Sequence, residues 1–294
     1  MMGQKVVCFG ETLWDVFPDK ELIGGAPLNV AARLSSLGAD VTLISRIGND
    51  AKGMGIINFM KKRNLPISCL QTDLNLSTGT VNVSLDSLGS ATYTINSPVA
   101  WDRIETTSEA LTVVVASQIF IFGSLACRDA ISRQSLYNLL MQARYKVFDV
   151  NLRLPHYSKD LVLSLMKQSD LIKLNEEELK MIAEWLGFSE LSVSDQLKLL
   201  SEQTDKASIC LTLGADGAIL FDKGAYFRHQ GYKIQVADTV GAGDSFLAGL
   251  IHKLSHGSTQ EDALDFACAL GAMVAGKKGG NAIISIDAIE KLRS

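Results

Sequence analysis

Short apolar runs alternating with helix-periodic stretches constrain this chain more than any other feature. Val6–Gly10 reads as a strand, Pro27–Leu37 as a helix and Val41–Ser45 as a strand. Lys146–Asn151, Leu171–Asn175 and Ser208–Leu213 are further strand-like runs, each followed by a helix or turn signal. That alternation predicts an α/β fold: a doubly wound, mostly parallel sheet with helices on both faces. The length, 294 residues, is near the size at which a single core stops growing. The expectation is therefore one domain spanning 1–294 with a small appendage. Val113–Phe122, interrupted by Ser117 and Gln118, is expected to form one or two buried strands.

The appendage is legible as a change of period. Thr78–Asp86 and Ala91–Asn96 alternate with period two around Ser87–Ser90, whose Gly89 is a hairpin-turn signal. Val81, Val83 and Leu85 fall on one face and Thr80, Asn82 and Ser84 on the other, so the sheet has one wet face. Glu11–Leu22 reads as an extended insertion before the first helix. Together these segments, about 11–24 and 78–103, predict a β-sheet lid. Further on, Asp244–Leu254 and Gln260–Gly276 carry helix periodicity.

Charge and cysteine usage exclude several classes. The 28 basic and 32 acidic residues are mixed along the chain and give a net charge of −4, with no basic block for a nucleic-acid backbone. No apolar run reaches membrane-spanning length. The N-terminus lacks a basic region followed by a small-residue cleavage site, so a cytoplasmic location is expected. Five dispersed cysteines without a C-x-x-C pair are expected to be reduced, with Cys8 and Cys210 as buried hydrophobes.

The most informative segment is Asp238–Gly249, D-T-V-G-A-G-D-S-F-L-A-G. Gly241 and Gly243 stand just before an apolar-periodic helix. Glycine admits close approach to the main chain, and amides at a helix N-terminus favour an anion. The amides of Gly241, Ala242 and Gly243 can thus cradle a transferring phosphoryl group. Asp244 follows at once and can accept a hydroxyl proton; in a loose phosphoryl-transfer transition state a weak base suffices. The plain alternative is that Asp244 only caps the helix.

This run resembles the second signature of the ribokinase-like (PfkB) sugar kinases. Gly24-Gly25-Ala26-Pro27-Leu28-Asn29-Val30-Ala31, on through Gly38-Ala39-Asp40 to Arg46-Ile47-Gly48-Asn49-Asp50 and Gly53, resembles the first. The resemblance covers essentially the whole chain and implies a doubly wound α/β domain with a β-sheet lid. It implies Asp244 as general base and Gly241–Gly243 as anion hole. Asp15, Gly24, Gly25 and Asn29 match sugar-contacting positions. Asn175 and Glu178 match the family's N-x-x-E, which implies phosphate contacts and Mg²⁺ held by Glu178 through water; a plain capping role for this pair stays open. Thr212, Gly214 and Gly217 resemble the nucleotide loop. Gly279, Gly280 and Asn281 lie where the family closes over adenine, with Ser285 near the place of a frequent proline. Asp238 matches a position near the monovalent-cation site of many members, and the sequence leaves a potassium requirement open. ATP is the implied phosphoryl donor.

Phe148-Asp149-Val150-Asn151-Leu152-Arg153 is similar to a segment of fructokinases and also of 2-keto-3-deoxygluconate kinases. Arg153 can reach sugar oxygens, a carboxylate or the phosphate, or pair locally with Asp149. The resemblance implies fructose phosphorylated on a primary hydroxyl, with a 2-keto-3-deoxygluconate kinase as first rival. A catalytically silent sugar-binding regulator is the rival from another class. The family's lid often pairs with its copy, which implies a homodimer. Two patterns are set aside. Gly271–Lys277 nearly matches a P-loop but is followed by Lys278 and ends a helix. His252 and His256 lack a third metal ligand and read as surface histidines.

Overall fold

Val6, Val7, Cys8 and Phe9 are all buried, so the first strand, β1 (Lys5–Phe9), is covered on both faces. That is the burial pattern of a strand inside a parallel α/β sheet. The computed structural model describes residues 4–85, 91–205, 207–277 and 279–294. The chain folds as two compact units, Met1–Gln118 with Ala126–Ala143, and Ile119–Leu125 with Arg144–Ser294.

In the first unit β1 pairs in parallel with β4 (Asp40–Gly48), which pairs in parallel with β5 (Leu70–Asp73). The helices α1 (Ala26–Ser36) and α2 (Ala51–Lys62) make the crossovers. Between β1 and α1 the chain forms β2 (Leu13–Val16) and β3 (Glu21–Gly24), an antiparallel pair. β2 also pairs in parallel with β6 (Gly79–Leu85), and β6 pairs antiparallel with β7 (Ala91–Ile95). The order β3-β2-β6-β7 is the expected lid. Val81 and Val83 are buried and Asn82 is exposed, so the alternation reads the two faces correctly. The turn expected at Ser87–Ser90 lies outside the described residues. The lid sheet ends at Ile95, and Val99–Ile104 beyond it is packed inward around the fully buried Trp101. The helices α3 (Ser108–Ala116) and α4 (Ala130–Leu140) complete this unit.

Trp14 anchors the lid. Its indole Nε1 donates to the Lys52 carbonyl at 3.0 Å, and Lys52 forms an ion pair with Glu21 at 2.6 Å. Just before β6 begins, Asp50 caps α2 by accepting from Gly53 N and binds the Thr78 backbone and hydroxyl at 2.8 and 2.7 Å. Burial pushes the Asp50 carboxyl up, but the Thr78 and Gly53 amides outweigh it and the net direction is down. Arg128 closes the other side, with Nε 2.7 Å from Asp102 and its guanidinium 3.9 Å over the Trp101 ring.

In the second unit β8 (Ile119–Gly123), β9 (Tyr145–Asp149), β10 (Leu171–Asn175) and β11 (Ser208–Thr212) are successive parallel neighbours. β12 (Ala218–Asp222) and β13 (Ala225–His229) add an antiparallel edge. The helix α5 (Lys159–Lys167) links β9 to β10, and α6 (Glu176–Leu186) and α7 (Val193–Gln203) link β10 to β11. The long α8 (Ala242–Ser255) packs on α9 (Gln260–Ala275), and α10 (Ile286–Arg293) ends the chain. Gly271 lies inside α9, which disposes of the P-loop pattern. All five cysteines are free and buried. Among the described residues, no helix is long and apolar enough to cross a membrane.

Two expectations are corrected. Val113–Val115 is the end of α3, not a strand; the strand β8 begins at Ile119. Thr107 caps α3 by accepting from Ala110 N, and Ala110 and Val114, four apart, are its buried face. The β-branched run mimics a strand, and the cap with helical packing overrides that propensity. His252 is not a plain surface histidine. Its Nδ1 is buried without a hydrogen bond, and its ring lies 5.8 Å from that of Phe266 and 4.6 Å from that of His256.

The start of α8 is set by Gly241, whose φ of +73° is left-handed. A Cβ there would lie 2.4 Å from Gly280 Cα, so the turn and the 279–281 loop stack backbone on backbone. Gly38 is also left-handed, at φ +90°, but a Cβ there meets nothing within 4 Å. Gly38→Ala should therefore cost only the backbone strain, about 1–3 kcal/mol, and Gly241→Ala distinctly more. Thermal unfolding of both variants checks this; equal losses would contradict the stacked-backbone account.

A second prediction concerns pH. Burial, with the charges of His256 and Lys253, pulls His252 down from 6.5 to about 4. The folded state thus resists a proton that the unfolded chain accepts below 6.5. The contribution is fully present above 6.5 and is lost as pH falls toward about 4. His252→Gln should flatten the decline of urea stability across that window. An unchanged slope would remove His252 as its source.

Candidate active site

Parallel strands end on a common edge, and ligands of open α/β sheets bind beyond those carboxyl ends. In the second unit this edge carries Gly123, Asp149, Lys173, Asn175 and Thr212. Gly123 is in register with Asp149, Asp149 with Lys173, and Asn175 with Thr212. The first residues of α8 belong to the same cluster. Gly241 caps α8, so Ala242, Gly243 and Asp244 form its first turn, whose amides have no acceptor within the helix. The Ala242 amide turns back onto the Thr239 carbonyl at 3.2 Å. Asp238 braces this turn, accepting from Val240 N and from Gly279 N, both at 3.0 Å. Asp244 is half-buried.

The chemistry of this edge includes a residue that sequence reasoning missed. Lys173 is 8% exposed and donates to Asp149 Oδ1 at 2.9 Å. A Cβ built on Gly243 would lie 3.2 Å from its Nζ, so the ammonium faces the open side of that glycine. Burial pulls the Lys173 pKa down, but the charges of Asp149, Glu178 and Asp244 outweigh it and the net direction is up. The group stays protonated at neutral pH. Its signal in the sequence is a single lysine in the otherwise apolar run Leu171–Leu174. A local Asp149–Arg153 pair does not form. Arg153 is exposed, and its Nη1 donates to the carbonyl of Leu152 at 2.9 Å.

Asn175 and Glu178 form a reciprocal cap on α6. Asn175 Oδ1 accepts from Glu178 N, and Glu178 Oε2 accepts from Asn175 N, both at 2.9 Å. Glu178 Oε1 also accepts from Leu152 N at 2.8 Å, tying the helix to the loop after β9. Burial raises the Glu178 pKa; Lys173 opposes this and Asp149 reinforces it, leaving the direction up. Glu176 and Glu177 are exposed. Thr212 ends β11, its hydroxyl 3.3 Å from the Leu174 carbonyl, and Gly214 and Gly217 bracket the short 3-10 turn that follows. Asn281 lies in the loop that stacks on Gly241, and Ser285, near the place of the family's frequent proline, caps α10 by accepting from Ala288 N.

The first unit holds the remaining candidates. Asp15 lies on β2, half-buried, and a Cβ on Gly24 would meet its Oδ2 at 2.6 Å. Gly25, at φ +107°, caps α1, and a Cβ there would meet the Glu11 carbonyl at 2.5 Å. The Gly24-Gly25 pair thus lets the Asp15 carboxylate and the β1–β2 link close over the start of α1. Asn29, 8% exposed, stands one turn into that helix.

Among the described residues, no group of three or more histidine, cysteine or acidic side chains could hold a metal ion by itself. The residues present still suit a hydrated Mg²⁺, which keeps several waters and is bound by one or two carboxylates with phosphate. Asp149 Oδ2 is buried without a hydrogen-bond donor, and Glu178 is an acceptor-only group beside it in charge if not in contact.

A model of the pfkB family of carbohydrate kinases matches residues 4–287. A fructokinase of Escherichia coli is 28% identical over 300 residues, 95% of this chain and 95% of its own length. A fructokinase structure from Vibrio cholerae O395, in a fructose-, ADP- and calcium-bound form, has a TM-score of 0.85 at 26% identity and covers 100% of both chains. A Xylella fastidiosa fructokinase with bound ATP reaches 0.87 at 21% identity, covering 98% of this chain and 97% of its own. The shared fold is α/β and ribokinase-like, a mostly parallel sheet flanked by helices with a smaller accessory sheet. The chain belongs to the pfkB family of carbohydrate kinases, whose reaction class is ATP-dependent phosphorylation of a sugar.

Proposed function

We propose that this protein is a fructokinase that transfers the terminal phosphoryl group of ATP to a primary hydroxyl of fructose. The observation that carries the kinase chemistry is the start of α8, where a glycine turn, a helix N-terminus and Asp244 fall within one turn of chain. The family match from residue 4 to residue 287 supports reading 1–294 as one kinase domain.

In this reading Asp15 accepts from two sugar hydroxyls, with Gly24, Gly25 and Asn29 shaping that face. Asn175, Thr212, Gly214, Gly217 and Asn281 bind ATP. Asp244 orients the attacking hydroxyl and takes its proton late, as bond formation to phosphorus completes. The Gly241–Gly243 turn stabilises charge on the phosphoryl oxygens, a preorganised contribution that needs no reorganisation during reaction. Mg²⁺, held by Glu178 through water, would neutralise phosphate charge. Asp238 is the candidate monovalent-cation residue; by bracing the turn before α8 it would couple such an ion to the cradle.

Fructose is favoured by two supports. Relatives of nearly the same length bear the name fructokinase. The rival keto acid needs a cation for its carboxylate, and Arg153 is exposed and solvated, where an ion pair is worth only about 0–1 kcal/mol. A neutral hexose has no such need. A homodimer through the lid accompanies this reading, and sedimentation showing only monomer would remove it.

The test is ATP turnover with fructose, 2-keto-3-deoxygluconate and ribose, each with potassium and with sodium. Fructose should be preferred; preference for the keto acid would reassign the substrate. Asp244→Asn should lower kcat about 100-fold or more with KM for sugar little changed. Unchanged turnover would remove Asp244 as the base.

A further inference from the structure

An ammonium carries three N–H donors. Among the described residues Lys173 makes one hydrogen bond, to Asp149 Oδ1, although it is 8% exposed. Two donors of a buried charge are left without an acceptor among the described residues, an arrangement that costs free energy unless something else receives them. They lie on the side of Gly243 where a side chain would project, 3.2 Å from a Cβ built there. Asp149 in turn is 4% exposed and occupies the neighbouring strand position, so the ammonium is held from behind by a fixed carboxylate.

We propose that Lys173 is a catalytic residue that donates to the terminal phosphoryl group of the nucleotide, and that Asp149 is the positioning residue that holds it there. This rests on the kinase reading above and adds to it a charge that the glycine turn cannot supply. In the step, the sugar oxygen bonds to the γ-phosphorus and the bond from that phosphorus to the β,γ-bridging oxygen breaks. The bond's electron pair leaves with ADP, and the hydroxyl proton goes to Asp244. Lys173 keeps its proton throughout and stabilises the charge of the group in transfer. The main-chain amides of the turn supply direction; Lys173 supplies a full charge at a position fixed by strand register.

A role at the terminal phosphoryl group differs from a structural one in what the protein distinguishes. Binding of ADP and of a non-hydrolysable ATP analogue is measured by calorimetry, with Mg²⁺, for the wild type and Lys173→Met. The analogue should weaken about tenfold or more and ADP by less than about twofold. Turnover in the same variant should fall in kcat. Equal weakening of both nucleotides, or of neither, overturns the inference while leaving the kinase reading intact. A wild type that binds neither nucleotide overturns both. Should Lys173→Met not fold with Asp149 left unpaired, the double variant Asp149→Asn/Lys173→Met removes both charges, and the same contrast is read there.

Discussion

A buried charge must be matched where it lies, and in the second unit that requirement falls on the Lys173–Asp149 pair. Its partners sit on adjacent parallel strands in direct register, so the pairing of β9 with β10 also fixes the ion pair. Buried pairs are weak sources of stability because each ion loses its hydration. An apolar pair at these positions would pack as well. The surroundings sharpen the point, since Glu178 and Asp244 add negative charge to the same neighbourhood of a single ammonium. A scaffold gains nothing from such an unbalanced cluster; a site that receives phosphate together with a cation does. One residue earlier on β8 and β9 the Phe122 and Phe148 rings stack 5.1 Å apart on the opposite face of the sheet, and β10 is buried from Leu171 to Leu174.

The first unit shows a different economy within one motif. Of the residues that carry the family resemblance near the N-terminus, Gly24 closes on Asp15, Gly25 closes on the Glu11 carbonyl, and Asn29 is buried one turn into α1. Arg46, Gly48, Asp50 and Gly53 do something else. Arg46 pairs with Asp73 at 2.9 Å, Asp73 accepts from Asn75 N and Leu76 N, and Asp50 binds Thr78. A Cβ on Gly48 would strike Thr78 N at 2.5 Å, and one on Gly53 would strike Gly48 O at 2.3 Å. These contacts fix where the chain passes from β5 into the lid strand β6. Part of the signature therefore builds the passage from β5 into the lid sheet, and the other part builds the start of α1 beside Asp15.

Period explains which parts of this structure were legible in the sequence. Alternating strands and helices, and the period-two lid, follow directly from residue spacing, and both were readable from Val6–Gly10 onward. The α3 helix was not, because Thr112–Val115 has strand composition and its cap, Thr107, lies outside the apolar run. The edge hairpin β12–β13 was also silent, its turn at Lys223-Gly224 being too short a signal beside the nucleotide-loop glycines. Within the site, glycine motifs and Asp244 announce themselves by local order. Lys173 does not, since its meaning depends on Asp149, 24 residues away in sequence and adjacent only once the sheet forms. Arg153 was conspicuous for the opposite reason: it stands in a polar segment, yet in the fold it points its guanidinium at its own neighbour's carbonyl.

The cap formed by Asn175 and Glu178 bears on whether a structural role excludes a catalytic one. Each carboxylate oxygen has two acceptor sites. Glu178 spends one on Leu152 N and one on Asn175 N, through different oxygens, so one site remains on each. Those two amides also fix the plane of the carboxylate against β10 and the loop after β9. A ligand meant to act through water gains from this, because a hydrated cation is oriented only if the acceptor behind its waters is itself rigid. The cap thus supplies the orientation that a long, otherwise mobile glutamate would lack. The N-x-x-E spacing that closes the cap on α6 is also the spacing that would hold the Glu178 carboxylate rigid for a hydrated metal.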